Sequence, residues 1–371
     1  MVTNDKELQM LAKAADEFAK KELAPLAGET DKHPDPAVIA DLLQKAYDLD
    51  FFHTLLPEDL GGMGMGTRAL GALLEPICQV DSSFGVLLFA NIFSYELMLA
   101  AGCPEKIKVI TAANEAPGGF LVACPVFENP TETDIGLRAG KQGDIYRLSG
   151  RVDYLVPGLA PWILAPALIP GQEDLTFFLV DTGAPGLTVG EPVLTLGAHA
   201  CLGVDVVMND VTAALVGEEA KGSVYFDKAS DRLQTAAAAM ALGVMKGSFK
   251  EGFAYASRRE QGGRTTINWS EMQMILAEFA LKIKMAEMAV AQSAQAVDSE
   301  AKGWRQAALA AAVQVGAMAC ETTTDGIQVM GGVGYMKDFG QEKRFRDARH
   351  IQALLGMVQM KKLRYIRQHM K

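Results

Sequence analysis

DGIQVMGGVGYMKDFGQEKRFRDAR, residues 325–349, runs directly into HIQALLGMVQMKK, residues 350–362. The glycines at 331, 332 and 334 interrupt a helix-like pattern, and a glycine cluster of this kind turns the chain between helices. A second helical pattern resumes at Gln341, passes through Arg346-Asp347-Ala348-Arg349 and enters an apolar run. The spacing from His350 to the C-terminus predicts one continuing amphipathic helix of five turns or more, with His350 on its surface or at an interface.

Upstream of that stretch, residues 234–260, 272–302 and 305–330 also repeat apolar residues at helical spacing and are rich in Ala and Met. Small side chains let such helices approach closely, which predicts a bundle. Several of their faces are apolar at once, and a helix buried on more than one side points to a subunit interface as well as a core. From about Gly118 to Val216 the texture changes. GDIYRLSGRVDYLV (143–156) and DLTFFLVDT (174–182) are short β-branched or aromatic runs cut by turn residues, which predicts an antiparallel unit of sandwich or barrel type. KELQMLAKAADEFAKKEL (6–23), AVIADLLQKAYDLDFFHTLL (37–56) and residues 71–100 return to helical spacing. The expected organisation is an N-terminal helical domain over 1–118, a middle β-barrel domain over 119–224 and a C-terminal helical bundle over 225–371, mainly α with a central β-barrel.

Composition narrows the function classes. The 371 residues carry a formal net charge of -10 without a Lys/Arg-rich block, which argues against nucleic acid or an anionic membrane as partner. The start, MVTNDKELQM, is charged and lacks an apolar core, so no secretory signal and a cytoplasmic location are expected. Tyr154 to Gln172 is uncharged and long enough to span a membrane, but Pro157, Pro161, Pro166 and Pro170 forbid a continuous helix. The five cysteines and five histidines show no metal-ligand spacing, so no metal site is expected. GGMGMG (61–66) follows no recognisable strand and reads as a turn-rich break rather than a phosphate cradle.

Gln328, Gly331, Gly332, Gly334, Tyr335, Glu342, Arg346, Asp347 and Ala348 together match a long pattern. It resembles the C-terminal signature of the acyl-CoA dehydrogenase family: Q, two apolar residues, G-G-x-G-[YF], an acidic residue, then R-D-A-[KR]. GLTVGEPVLTLGAHACLGVDVVMNDV resembles the stretch that closes the family's β domain, and ALGVMKGSFKEGFAYASRREQGGR the helix that ends in its E-R-x-x-F-G element. The resemblance covers nearly the whole chain. It implies the three-domain fold set out above, assembled as a dimer or tetramer with FAD at the subunit interface, an acyl-CoA thioester as substrate and electron-transferring flavoprotein as the usual acceptor.

The same resemblance exposes departures at the positions that carry chemistry. In the family a glutamate just before the glycine of the final motif removes the α-proton of the thioester as hydride leaves the β-carbon for flavin N5. Counting from Arg346, that place falls on Leu355, which cannot accept a proton. The alternative base position, counted from Gly243, falls on Leu233; the nearest carboxylate is Asp231, read either as a displaced base or as a helix N-terminal Asp that caps or favours the dipole. The flavin-holding T-E-P-x-A-G-S segment reads ACPVFENPTET (123–133) here, and W-[IL]-[ST]-N reads Tyr154-Leu155-Val156-Pro157. Tyr154 keeps an aromatic face for the flavin, while Val156 lacks the hydroxyl that would hydrogen-bond N5. On the adenosine side, Arg259, Gln328, Gly331 and Gly332 match, whereas the family Phe is Gly262 and a Gln is Ser270. Three functions stay open: the base-lacking subunit of a heteromeric FAD-dependent acyl-CoA dehydrogenase paired with a second dehydrogenase-like chain; an active homo-oligomer with a displaced base such as Asp231, Asp81 or Glu96; and a flavin-independent acyl-CoA binder.

Overall fold

The computed structural model describes residues 5–112 and 117–370, so Met1 to Asn4 of the N-terminal stretch read above lie outside it. Six helices open the chain: α1 (Asp5–Phe18), α2 (Ala27–Lys32), α3 (Pro36–Asp48), α4 (Thr67–Val80), α5 (Ser82–Ala100) and α6 (Pro104–Ala112). α3 starts where Asp35 accepts a hydrogen bond from the Ala37 N–H at 2.8 Å, with Pro36 at the first helical position. α5 is apolar on every face. It is long and apolar enough to cross a membrane by composition, yet 89% of it is buried inside the fold, where it serves as the central core helix.

The middle of the chain forms seven strands, β1 (Val122–Ala123), β2 (Leu137–Gln142), β3 (Ile145–Leu155), β4 (Trp162–Ala167), β5 (Thr176–Asp181), β6 (Leu187–Pro192) and β7 (Val204–Val216). Their order is β1-β4-β5-β7-β3-β2, with β6 also on β7. The carbonyl of Leu168, just past β4, accepts from the Ala139 N–H at 2.9 Å while the Leu168 N–H donates to Leu137 at 3.1 Å, so β2 meets the end of β4 and the sheet curls shut. The unit is mixed rather than antiparallel as expected. Strands joined by short turns pair antiparallel, but β1 enters from the helical domain alongside β4 and pairs parallel with it, as β2 does at Leu168.

The C-terminal part holds α7 (Gly222–Ala256), a two-stranded ribbon of β8 (Glu260–Gln261) and β9 (Arg264–Thr265), α8 (Ser270–Asp298), α9 (Trp304–Met330), α10 (Gln341–Gln352) and α11 (Val358–His369). The single terminal helix expected from periodicity is two helices. The chain leaves the helical ladder at Leu355, which has φ 61°, and Gly356, which has φ 111°. There the Leu355 N–H is spent outside the helix, on the carbonyl of Val126 at 2.7 Å. Lys361 then caps α10 by donating to the carbonyls of Gln352 and Leu354. Burial pushes the pKa of this lysine down to about 8.

One buried knot joins the three parts. The Asp347 carboxylate on α10 accepts from the Ser82 hydroxyl of α5 at 2.6 Å, from the Ala198 N–H before β7 at 2.7 Å and from Lys343 at 2.6 Å. Lys343 also donates to Asp81 at 2.9 Å. One turn along, Arg346 binds Asp31 at 2.6 Å and Glu342 at 2.7 Å. Burial by itself would raise the Asp347 pKa, but Lys343, Ser82 and the Ala198 N–H hold it below its ordinary value of 3.8.

Removing one partner from such a pair strands a buried charge and costs about 3–5 kcal/mol. Asp347→Ala is therefore expected to lower stability by about that much in urea unfolding. Because the folded-state pKa of Asp347 is depressed, its contribution is present above the unfolded value and is lost as pH falls through the folded one. The wild-type protein should lose stability below about pH 4 more steeply than Asp347→Asn. An Asp347→Ala variant as stable as the wild type would contradict the role given to this knot.

Candidate active site

Leu355 is 1% exposed and its main chain is tied to Val126. That bond matters because the two residues belong to opposite walls of the expected site. Val126 lies in the segment that resembles the flavin-holding motif, and Leu355 stands at the base position. In this chain the two segments are in direct contact.

The contact is sealed by three rings from three parts of the chain. Phe127, in the loop after β1, lies edge-on to His350 of α10 with centroids 4.2 Å apart, and 5.5 Å from Tyr154 at the end of β3. The Tyr154 hydroxyl and His350 Nε2 are hydrogen-bonded at 3.0 Å. The Tyr154 backbone sits at φ 50° with its N–H on Asp205 at 2.9 Å. Its ring covers Gly203 so closely that a Cβ there would lie 2.2 Å from the ring. Tyr154, whose face was expected against a flavin, thus packs within the protein. His350, expected on a helix surface or at an interface, is largely enclosed because α10 stops two residues later and turns this side against the barrel. Burial pushes its pKa down to about 4 and raises that of Tyr154, so both are neutral near pH 7. Aromatic contacts of this type contribute about 0.5–1.5 kcal/mol each beyond burial. The residues present therefore do not fit an isoalloxazine ring in this chain's own half.

The carboxylates weighed as displaced bases are engaged elsewhere. Asp231 is not a helix N-terminal cap: α7 begins nine residues earlier, at Gly222, and the Asp231 carboxylate is bound by Arg364 at 2.7 Å and Arg305 at 3.1 Å. Asp81 belongs to the knot with Lys343. Glu96 is buried on α5 and paired with Arg232 at 3.1 Å, its pKa raised by burial and drawn back by that arginine. Leu233 is fully buried. A carboxylate that sequence reasoning missed, Glu132, stands beside the turn, its Oε2 3.7 Å from where a Cβ on Gly356 would be, with a pKa raised by burial.

The residues expected on the adenosine side sit on an open face. Arg259 and Gln328 are exposed, and no side-chain partner of Arg259 is present among the described residues. Gly331 ends α9 at φ 63° and needs to be glycine for that reason. Gly332 has no such need: its φ is not positive and a Cβ would meet nothing within 4 Å. Gln328 lines a cleft of about 450 Å³ together with Gly262, Thr266, Trp269 and Met272. The Arg264 guanidinium stacks on Trp269 at 3.6 Å, and Trp269 stands against Gly262, 2.8 Å from where a Cβ would lie. Trp269 thus puts an aromatic ring beside Gly262. The exposed groups here are a cation, an amide, an aromatic ring and accessible backbone, and the Glu271 carboxylate also lines the cleft.

Comparison with known proteins agrees with this architecture. Residues 5–108 match the family model for the acyl-CoA dehydrogenase N-terminal domain and residues 221–370 that for the C-terminal domain. The chain is 27% identical over 369 residues to cyclohex-1-ene-1-carbonyl-CoA dehydrogenase of Syntrophus aciditrophicus, covering 96% of this chain and 88% of that protein. It is 28% identical to cyclohexane-1-carbonyl-CoA dehydrogenase of Geobacter metallireducens over 100% and 99% of the two. Among solved structures, butyryl-CoA dehydrogenase of Megasphaera elsdenii superposes with a TM-score of 0.87 at 23% identity over 98% of each chain.

If the closed walls are a fixed property of the chain, restoring a carboxylate will not restore chemistry. Leu355→Glu is expected to destabilise by about 2–4 kcal/mol, the cost of an unpartnered buried carboxyl, and to show no acyl-CoA oxidation above the wild-type level in a dye-reduction assay. Activity gained by this single substitution would contradict the closed-site geometry.

Proposed function

Because the chain belongs to the acyl-CoA dehydrogenase family, we propose that it is the base-lacking subunit of a heteromeric FAD-dependent acyl-CoA dehydrogenase. Its partner in a dimer or tetramer is a second dehydrogenase-like chain that carries the catalytic carboxylate, working in the cytoplasm on an acyl-CoA thioester and delivering electrons to an electron-transferring flavoprotein. The observation that carries this reading is Leu355, an alkyl side chain at the base position whose backbone N–H is bonded to the opposite wall at Val126.

The chain's own part is binding and orientation. Arg259 faces the adenosine–pyrophosphate half of the FAD held by the partner, Gln328 adds an amide, and Gly331 and Gly332 let backbone approach the pyrophosphate. FAD, when bound there, supplies the hydride acceptor for α,β-dehydrogenation of the thioester in the partner's site. Exposed apolar side chains support the assembly. Met274, Leu281, Met285 and Met288 fall on one face of α8, each more than half exposed. Leu194 is 92% exposed.

The active homo-oligomer alternative now rests on Glu132 rather than Asp231. Its carboxyl is raised by burial and adjoins Gly356, and Glu132→Gln would abolish dehydrogenase activity of the lone chain under that reading alone.

The subunit reading is tested on the pair formed by co-expression with a neighbouring dehydrogenase-like chain. Arg259→Ala should weaken FAD by about 10–100-fold in titrations of the apo-pair, the usual effect of losing a charge-assisted hydrogen bond. Gly332→Ala should leave the lone chain within about 0.5 kcal/mol of wild type and still weaken FAD in the pair. Unchanged FAD affinity in both variants would overturn the reading.

A further inference from the structure

The aromatic cluster at the barrel–bundle junction has a purpose that loss of a base does not explain. A site that has merely lost its catalytic group keeps its shape, whereas this one is filled. We infer that Phe127 is a plug: its ring closes this chain's own isoalloxazine place and takes over the packing that joins the barrel to the bundle, so the chain folds without flavin and excludes it. The inference deepens the subunit reading and rests on it for the location of the ring site.

The geometry is restrictive. A flat ring slotted between two faces needs about 3.5 Å on each side, so roughly 7 Å between them. The Tyr154 and His350 rings that would flank it are 5.9 Å apart, nearly perpendicular and joined by a hydrogen bond, and the Phe127 ring lies against both of them. Around them the walls are fastened by bonds that leave no slack. Cys124 and Val156 exchange backbone hydrogen bonds at 3.0 and 3.2 Å, and the Leu355 N–H reaches Val126 at 2.7 Å. The polar tips in the cluster satisfy each other, Tyr154 hydroxyl on His350 Nε2. The buried side-chain polar atoms without partners among the described residues are those of Asn91, Gln234, Thr235, Arg344 and Gln368, none of them in this cluster. Nothing in the cluster calls for a ligand.

Phe127 is the member that decides closure. Tyr154 is held by its backbone to Asp205 and by its ring over Gly203, and His350 is carried by α10. Phe127 lies in a loop between β1 and β2, and its ring touches both other rings. Truncating it leaves a ring-sized hollow beside the hydrogen-bonded Tyr154 and His350, and apolar hollows of that size bind planar apolar molecules.

The test uses lumiflavin, an isoalloxazine without the ribityl-ADP tail, on the chain purified alone. Wild type should leave lumiflavin fluorescence unquenched and its own melting temperature unchanged. Phe127→Ala should melt several degrees lower, quench lumiflavin saturably with affinity at least about tenfold above wild type, and regain melting temperature when the ring is added. The His350 imidazole, followed by NMR, should titrate nearer the ordinary value of 6.5 in this variant as water enters. Phe93→Ala, a core truncation outside the cluster, should lose stability and gain no lumiflavin binding. If Phe127→Ala does not fold, Phe127→Val is read the same way. Saturable lumiflavin binding by wild type, or none by the folded Phe127 variant, would overturn the plug. Either result leaves the subunit reading to the FAD affinity of the Arg259→Ala pair, so the two can fail separately.

Discussion

The placement of α10, and with it of His350 and Leu355, depends on the carboxylate of Asp347. It is buried, it accepts from all three parts of the chain, and it shares Lys343 with Asp81. A buried charge network of this kind is weak evidence for stability in itself, since its desolvation cost is large. Its effect here is to fix placement. With α10 locked against α5 and the segment before β7, the turn after α10 has one place to go, and the Leu355 N–H meets Val126 there. His350, one turn before that, is presented to Phe127 and Tyr154 by the same helix.

Chemistry follows from that placement. Proton abstraction next to a thioester needs a desolvated carboxylate held near the α-carbon, with a hydride acceptor on the other side. In this chain the corresponding walls touch, the carboxylate is an alkyl group and the space is aromatic. Elsewhere the molecule keeps an open face in which the Arg259 side chain has no partner among the described residues, Gly332 has no internal reason to be glycine and Trp269 stands against Gly262.

The fold was legible because its signals are of long range. The match from Gln328 to Ala348 fixes the C-terminal bundle, and the switch from helical to alternating texture near Gly118 and back after Val216 marks the barrel. The β1–β4 parallel pairing escaped because a two-residue strand has no readable periodicity. The break at Leu355 escaped because it is made by a hydrogen bond to Val126, more than two hundred residues away, and apolar spacing around it stays helical. The absent base was readable from one position. The closure was not, because it is made by rings from three distant segments, Phe127, Tyr154 and His350. Composition also said little of Asp231, since whether an Asp on a helix caps, catalyses or pairs depends on neighbours, here Arg305 and Arg364, brought by other helices.

The most direct measurement is the visible absorbance spectrum of the chain purified alone in excess FAD, set beside that of the pair obtained by co-expression with a neighbouring dehydrogenase-like chain. The account predicts a colourless lone chain and a yellow pair with about one FAD per two chains. A lone chain that purifies with stoichiometric flavin, or a pair that carries one FAD on every chain, would contradict it.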